Sequence, residues 1–112
     1  PSNPGWYRNL ALSQASVAEA LSAREDYEGA LPYQDESLRI MRDLSAAYPD
    51  DVWYKLDVVR ALDQRAVLLQ DGTAENQEAL AMLEAMQADG TLPEGYEDWI
   101  AGFRKSLGLT DK

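Results

Sequence analysis

Apolar side chains recur every three or four positions along most of this chain, which is the spacing of one face of an α-helix. Glycine, proline and short polar runs interrupt the pattern and divide the chain into five segments. No segment alternates apolar and polar residues for long enough to predict a strand. The connections between segments are short, so successive helices are expected to pack antiparallel. The pattern predicts an all-α fold of about five helices.

Capping residues predict where the helices begin and end. The helices are predicted to run from about Pro4 to Arg24, from Asp26 to just before Pro49, from Asp50 or Asp51 to Gly72, from Thr73 to Gly90, and from just after Pro93 to Gly108. Ser2 or Asn3 can cap the first helix, and Thr73 the fourth. Gly72 is expected to end the third helix with a positive φ. Pro32, in the second turn of its helix, predicts a local kink.

The apolar faces of two helices predict how they are covered. Val58, Val67 and Leu68 lie off the main apolar face of the third helix, so we expect neighbours on more than one side of it and a packed environment for Leu68. The fifth helix instead has one narrow apolar stripe. Its members are Tyr96, Trp99, Ile100, Phe103 and Leu107. A one-sided terminal helix is typical of one that caps the open end of a stack.

A repeat connects the two halves of the chain. Residues 6–7 (Trp-Tyr) recur as residues 53–54, an offset of 47, and residues 29–31 correspond to residues 78–80 at an offset of 49. Each unit is then a helical hairpin, which cannot bury both of its faces alone, so the units are expected to stack. The predicted parts of the single domain 1–112 are a first hairpin at about 4–49, a second at 50–90 and a capping helix at 93–108.

Part of the first unit resembles a known family. Residues 24–31 (REDYEGAL), followed by residues 36–40 (ESLRI) and Pro49-Asp50, resemble a tetratricopeptide repeat, in particular the long-helix variant of multidomain bacterial proteins. Further family positions are matched by Ala18, Leu21, Ala30 and Ser37, whereas Gln34 stands in place of an aromatic residue and Arg65 in place of a small one. The resemblance covers about residues 6–90. It implies a short right-handed solenoid.

The resemblance also implies a function. In this family the first helix of each hairpin lines a concave groove that binds a protein or peptide. Carried over residue by residue, the groove positions are Leu12, Ala15, Glu19 and Ser22 in the first unit and Val59, Leu62, Ala66 and Leu69 in the second. Such a groove would be mostly apolar, which suits an apolar or helical peptide that is neutral to basic. Leu62 and Leu69 are equally compatible with a place in the core.

The aromatic residues have two interpretations. Trp6, Trp53 and Trp99 lie on apolar stripes and are expected in the core, although tryptophans also anchor partners at interfaces. Tyr7, Tyr33 and Tyr54 lie off or beside the stripes and are expected to be partly exposed.

Composition narrows the function classes. The 112 residues include no His and no Cys, so there is no imidazole base, thiolate nucleophile or zinc site of those ligands. A net charge of −10 disfavours nucleic acid as a partner, and no apolar run is long enough for a membrane span. The acidic groups at 35–36, 50–51 and 94–98 are interpreted as helix-dipole partners rather than metal ligands. We therefore expect no enzymatic activity and no cofactor.

Three hypotheses remain open at this stage. The first is a protein-interaction scaffold that uses the predicted groove. The second is a regulatory or structural repeat segment of a larger, enzyme-containing protein that packs on its own chain or self-associates, with further repeats or another domain before Pro1. The third is a plain helical bundle dimer. The absence of cysteine leaves the compartment open, with the cytoplasm as the default expectation.

Overall fold

The computed structural model describes residues 3–109, and within that range it is entirely helical, without a strand. The helices are α1 (Pro4–Ala23), α2 (Tyr27–Ala47), α3 (Val52–Leu68), α4 (Thr73–Asp89) and α5 (Glu97–Ser106). Each helix packs against the next along the chain. The predicted all-α class with five helices is confirmed.

Side-chain caps begin the first three helices. Asn3 Oδ1 accepts a hydrogen bond from the Trp6 backbone N–H at 3.0 Å, and Asp26 Oδ1 accepts one from Gly29 at 2.9 Å. Asp51 caps α3 in the same way. These carboxylate and amide oxygens satisfy N–H groups that have no partner inside the helix. Ser2, the other predicted cap of α1, lies outside the described residues.

The connection between α3 and α4 differs from its prediction. Gly72 has φ −93° and precedes α4, so its assignment as a positive-φ end of α3 is wrong, as is Thr73 as the N-cap. α3 has already ended at Leu68. Glycine is needed at position 72 for a different reason: a Cβ there would lie 2.6 Å from the Cβ of Ala66. The close approach of this loop to α3, rather than its φ angle, excludes a side chain.

The core surrounds the middle of α3. Leu56, Val59 and Leu62 are at most 1% exposed, and Val58 is 2% exposed, so α3 is covered on several sides as predicted. Its last turn is not enclosed, because Val67 is 71% exposed and Leu68 is only half-buried. The expectation that Leu68 is a packed core site is therefore wrong.

Two tryptophans lie at the surface rather than in the core. Trp6 and Trp53 are each 56% exposed, and Trp99 is half-buried. In α1 the buried positions are Ala11 and Ala18, whose small side chains permit close packing, and the stripe that contains Trp6 lies to one side of them. The predicted partial exposure of the tyrosines is confirmed: Tyr33 is exposed, and Tyr7 and Tyr54 are half-buried.

Polar contacts establish that successive helices run antiparallel. The Tyr7 hydroxyl, near the start of α1, donates to Asp43 Oδ2 near the end of α2 at 3.1 Å. Arg65, near the end of α3, pairs with Asp35 in α2 at 2.6 Å and with Glu75 in the first turn of α4. Arg65 stands where the repeat pattern expects a small residue, and its side chain joins α2 to α4 instead of separating the helices.

Candidate functional site

One end of α1 and the end of α3 form a groove, here called the α1–α3 groove. Its walls and floor are formed by Ala15, Ala18, Glu19, Ser22, Gln34, Asp63, Gln64, Val67 and Leu68. Small side chains on α1 leave the space, and the half-buried Leu68 and exposed Val67 supply apolar surface from α3. An apolar cleft with a few convergent polar groups is the usual form of a binding site.

The floor of this groove contains a buried amide. Gln34 is 2% exposed, and its Nε2 donates to the Ala61 carbonyl at 3.5 Å. Its Oε1 has no hydrogen-bond partner within residues 3–109. Since every fully buried side-chain N or O atom in that part of the chain has a partner, Oε1 is not fully buried, and Gln34 is among the residues that line the groove. An amide oxygen without a partner can accept a further hydrogen bond.

A second groove, here called the α3–α5 groove, lies beside the first. It is lined by Arg60, Asp63, Gln64, Asp98, Trp99, Gly102, Phe103 and Ser106. Asp63 and Gln64 line both grooves, so the two are adjacent along α3. Together they form a surface that extends from α1 through α3 to α5.

Aromatic and cationic side chains form one wall of the α3–α5 groove. Arg60 Nη2 donates to the Tyr96 hydroxyl at 2.9 Å, and the guanidinium lies 5.3 Å from the centre of the Trp99 ring. Tyr96 also stacks edge-on against Trp99 at 4.8 Å and against Trp53 at 6.3 Å. These contacts hold the Arg60 side chain in a defined position, because a guanidinium over an indole face is electrostatically favourable.

Three carboxylates on the two grooves have no cationic partner in the part of the chain that the structure describes. Glu19, Asp63 and Asp98 lie on α1, α3 and α5 respectively, and none of them forms an ion pair with another described residue. Partial burial raises the pKa of the Asp63 carboxyl above its ordinary value, because desolvation disfavours the charged form. The one cation of the α3–α5 groove, Arg60, already contacts Asp57 at 3.4 Å.

The surface formed by α2 and α4, here called the α2–α4 surface, has the opposite electrostatic character. Arg42 forms a bidentate ion pair with Glu78, in which Nη1 donates to Oε2 at 2.5 Å and Nη2 donates to Oε1 at 2.9 Å. Arg65 pairs with both Asp35 and Glu75, as described above. The acids of this surface are thus neutralised within the molecule, whereas those of the grooves are not.

The predicted groove residues of α1 are mostly placed as expected. Ala15, Glu19 and Ser22 line the α1–α3 groove. Leu12 is 40% exposed on α1 but does not line the groove.

The predicted groove residues of α3 are not brought to the groove. Val59 is 0% exposed and Leu62 1%, so both are core residues and neither can contact a partner. Ala66 and Leu69 are half-buried and lie outside both grooves, and Ala66 packs against Gly72. The predicted groove residues do not include the α3 residues that line the grooves, which are Arg60, Asp63, Gln64, Val67 and Leu68.

An incorrect repeat offset explains the missed residues. The groove residues Ala15, Ala18 and Glu19 of α1 correspond in position to Arg60, Asp63 and Gln64 of α3, an offset of 45 rather than the 47 of the Trp-Tyr match. An error of two residues turns a helix by about 200°, so the predicted face of α3 points away from the groove. The run of three polar residues at 63–65, between the apolar positions 61–62 and 66–68, was the available signal.

Comparisons and ion-site geometry add no further assignment. No protein family, curated protein or solved structure matches this chain. Among residues 3–109, no three acidic side chains are grouped so that they could hold a metal ion. Over the same range, no helix has the length and apolar character that crossing a bilayer requires. The grooves are therefore the feature on which a function can be argued.

Proposed function

We propose that this chain is a non-enzymatic protein-interaction module that binds a polypeptide segment along the α1–α3 and α3–α5 grooves. The observation that carries the proposal is that Asp63 and Gln64 belong to the lining of both grooves, so the two grooves adjoin on α3. A binding surface that crosses three helices is long enough for an extended or helical segment, whereas a small ligand would use one pocket.

We further propose that the helices form a short tetratricopeptide-like solenoid in which α5 has the place of a capping helix. Two sets of contacts support this arrangement. Arg8 of α1 pairs with Asp57 of α3 at 2.6 Å, and Arg42 of α2 pairs with Glu78 of α4, so arginine side chains bridge helices two positions apart in the chain. These bridges support an arrangement in which odd-numbered helices form one layer and even-numbered helices the other, as in stacked hairpins.

The groove hypothesis is tested by blocking the groove without changing charge. Peptides are selected from a random phage-displayed library on the immobilised protein, and their Kd values are measured for Ala15→Gln and for the control Ala46→Gln. Ala46 is exposed on α2, outside both grooves. We expect Ala15→Gln to weaken binding at least about tenfold, because a longer side chain fills the cleft. The control should bind as tightly as wild type.

Two results complete that experiment. Equal Kd values for wild type and Ala15→Gln would place the binding site elsewhere and contradict the proposal. If Ala15→Gln does not fold, Val67→Trp provides the block at a position that is 71% exposed and so tolerates a larger side chain.

A second candidate function is self-association, or packing on other parts of a larger multidomain protein in a regulatory or structural role. It is favoured by the apolar stripe of α1, on which Trp6 is 56% and Val17 41% exposed, with Leu10 and Leu21 half-buried beside them. Sedimentation should then show a mass that rises with concentration and that Trp6→Ser, but not Ser22→Ala, abolishes. A constant monomer mass would leave self-association without support.

A further inference from the structure

We propose that the segment bound by the grooves is basic and apolar: a Lys or Arg side chain reaches Asp63, where the grooves meet, and small apolar side chains occupy the α1–α3 groove. This inference rests on the proposed function and specifies the partner's chemistry. The charge and the lining residues of the grooves, including Gln34, support it.

Three carboxylates and one cation, Arg60, line the grooves, so their charge is negative, and the three carboxylates form no ion pair within residues 3–109. Each odd-numbered helix contributes one carboxylate, Glu19, Asp63 or Asp98, that has no ion pair among the described residues. On the α2–α4 surface, by contrast, Arg42 and Arg65 neutralise the facing acids. A bound cation would supply the missing complement, and a pair with the partly desolvated Asp63 is screened less than one in open water.

Asp63 is the central carboxylate because of its position. It lines both grooves, so a side chain bound there can belong to a segment that runs through either or both of them. Arg60, which also lines the α3–α5 groove, is held by Tyr96 and Trp99 and contacts Asp57 rather than Asp63. The cationic partner of Asp63 must therefore come from outside these residues.

The remaining lining selects for a polypeptide with apolar side chains. Ala15, Ala18, Val67 and Leu68 present small or aliphatic surface, which gains from burial at about 25 cal/mol per Å². Gln34, which is 2% exposed and lines the α1–α3 groove, has an amide oxygen without a hydrogen-bond partner in residues 3–109, and such an oxygen can accept a backbone N–H. An acidic segment or a phosphate backbone would meet three like charges against the single cation Arg60.

The test uses three pools of synthetic fluorescent peptides of equal length. The basic pool contains Lys, Leu and Ala, the acidic pool Glu, Leu and Ala, and the neutral pool Gln, Leu and Ala. Fluorescence anisotropy gives the Kd values for wild type, Asp63→Asn and the control Asp50→Asn. Asp50 is exposed in the α2–α3 connection, so the control makes the same change in net charge far from the grooves.

We expect the wild type to bind the basic pool about tenfold more tightly than the acidic pool. Asp63→Asn should weaken binding of the basic pool about three- to tenfold and leave the neutral pool unchanged, whereas Asp50→Asn should change neither by more than about twofold. Equal effects of the two substitutions would show a general charge effect and overturn the assignment of Asp63. Equal binding of the acidic and basic pools would overturn the basic partner.

Different variants test the proposed function and the proposed chemistry of the partner. If Ala15→Gln weakens binding of the neutral pool while Asp63→Asn leaves the basic pool unaffected, the groove binds a segment of other chemistry and this inference alone is wrong. If Ala15→Gln changes the binding of no pool, the proposed function fails as well. If a second copy of the chain occupies the grooves and displaces the basic peptides, sedimentation will show a dimer. That result would overturn both the proposed function and the basic partner in favour of self-association.

Discussion

At the scale of the residue, the most demanding group in this molecule is a buried carboxylate. Asp57 is 4% exposed, and it is satisfied by Arg8, whose Nε and Nη2 donate to it at 2.6 and 3.1 Å, and more distantly by Arg60. A buried charge is tolerated only when it is paired and hydrogen-bonded. The pair also joins α1 to α3, next to the groove that these helices form.

Arg8→Met should therefore destabilise the fold by about 2–3 kcal/mol, because it leaves Asp57 buried with one long contact to Arg60. The measurement is the free energy of unfolding in urea. Arg24→Met is the matched control, since Arg24 is exposed and forms no ion pair within the described residues, and it should change stability by less than about 0.5 kcal/mol. Similar losses for both variants would contradict a role for the Arg8–Asp57 pair.

Backbone strain is localised at Glu25. This residue has φ 64°, in the left-handed region, where it completes the turn from α1 to α2 while the Asp26 N–H donates to the Leu21 carbonyl at 2.8 Å. Left-handed backbone costs a residue with a Cβ about 1 kcal/mol relative to glycine.

Glu25→Gly should accordingly raise the free energy of unfolding by up to about 1 kcal/mol. Glu28→Gly, the same exchange three residues later in the first turn of α2, should lower it by a similar amount, because glycine is a poor helix former. Thermal unfolding of the two variants checks the prediction. A loss of stability at position 25 would show that the φ angle there is not strained.

At the scale of the element, α3 contains both the centre of the core and part of the binding surface. Its middle turns are covered by α2 and α4, with Leu56 and Leu62 at 0% and 1% exposure, while its last turn opens to the α1–α3 groove. The transition takes place between Leu62 and Val67, over little more than one helical turn. Positions 62 and 68 of one helix therefore differ sharply in their environment.

Leu62→Ala should cost about 2–5 kcal/mol, the range for a leucine whose removal leaves a cavity. Leu68→Ala, at a half-buried position on the groove, should cost less than half as much, because water can fill the space. Urea unfolding of the pair measures the contrast. Equal costs would mean that the last turn of α3 is as enclosed as its middle.

At the scale of the whole molecule, the charges are distributed unevenly over two surfaces. Of the acidic side chains that give the net charge of −10, those facing Arg42 and Arg65 on the α2–α4 surface are paired, whereas the three groove carboxylates form no ion pair among the described residues. Arginine is suited to pairing with the acids of the α2–α4 surface, because its planar guanidinium donates two hydrogen bonds to one carboxylate at once. One surface thus contributes to holding the helices together, and the other is available to a partner.

The ion pair of Glu78 makes a pH-dependent contribution to stability. The hydrogen bonds from Arg42 lower the pKa of the Glu78 carboxyl below its ordinary value of 4.5, so the unfolded chain binds this proton more readily than the folded chain. Its contribution is present above about pH 4.5 and is lost as the pH falls through the lowered value. Glu78→Gln should therefore flatten the fall in stability below pH 4.5, compared with wild type.

Chemical denaturation across acid pH measures that slope. Glu94→Gln is the control, since Glu94 is exposed in the α4–α5 connection and has no arginine partner in the described part of the chain. If Glu78→Gln and wild type lose stability in parallel between pH 4.5 and 2.5, the Arg42–Glu78 pair does not contribute to the fold in solution.

The helices and most of their ends could be predicted from the amino-acid sequence alone. Asn3, Asp26 and Asp51 begin helices where capping residues were expected, and Gly90 ends α4 with φ 81°. These features depend on contacts between residues at most four or five positions apart, so a short stretch of sequence contains the whole interaction.

Only the tertiary structure decided which face of each helix meets which neighbour. Trp6 and Trp53 match in sequence but lie at the surface, Arg65 bridges two helices where a small residue was expected, and the grooves use Asp63 rather than Leu62. The hydrogen bonds within a helix are the same whichever of its sides faces a neighbouring helix. An offset of two residues therefore exchanges the side that faces the neighbour for the opposite side. Its orientation is set by the packing of distant side chains, which no local pattern of the sequence contains.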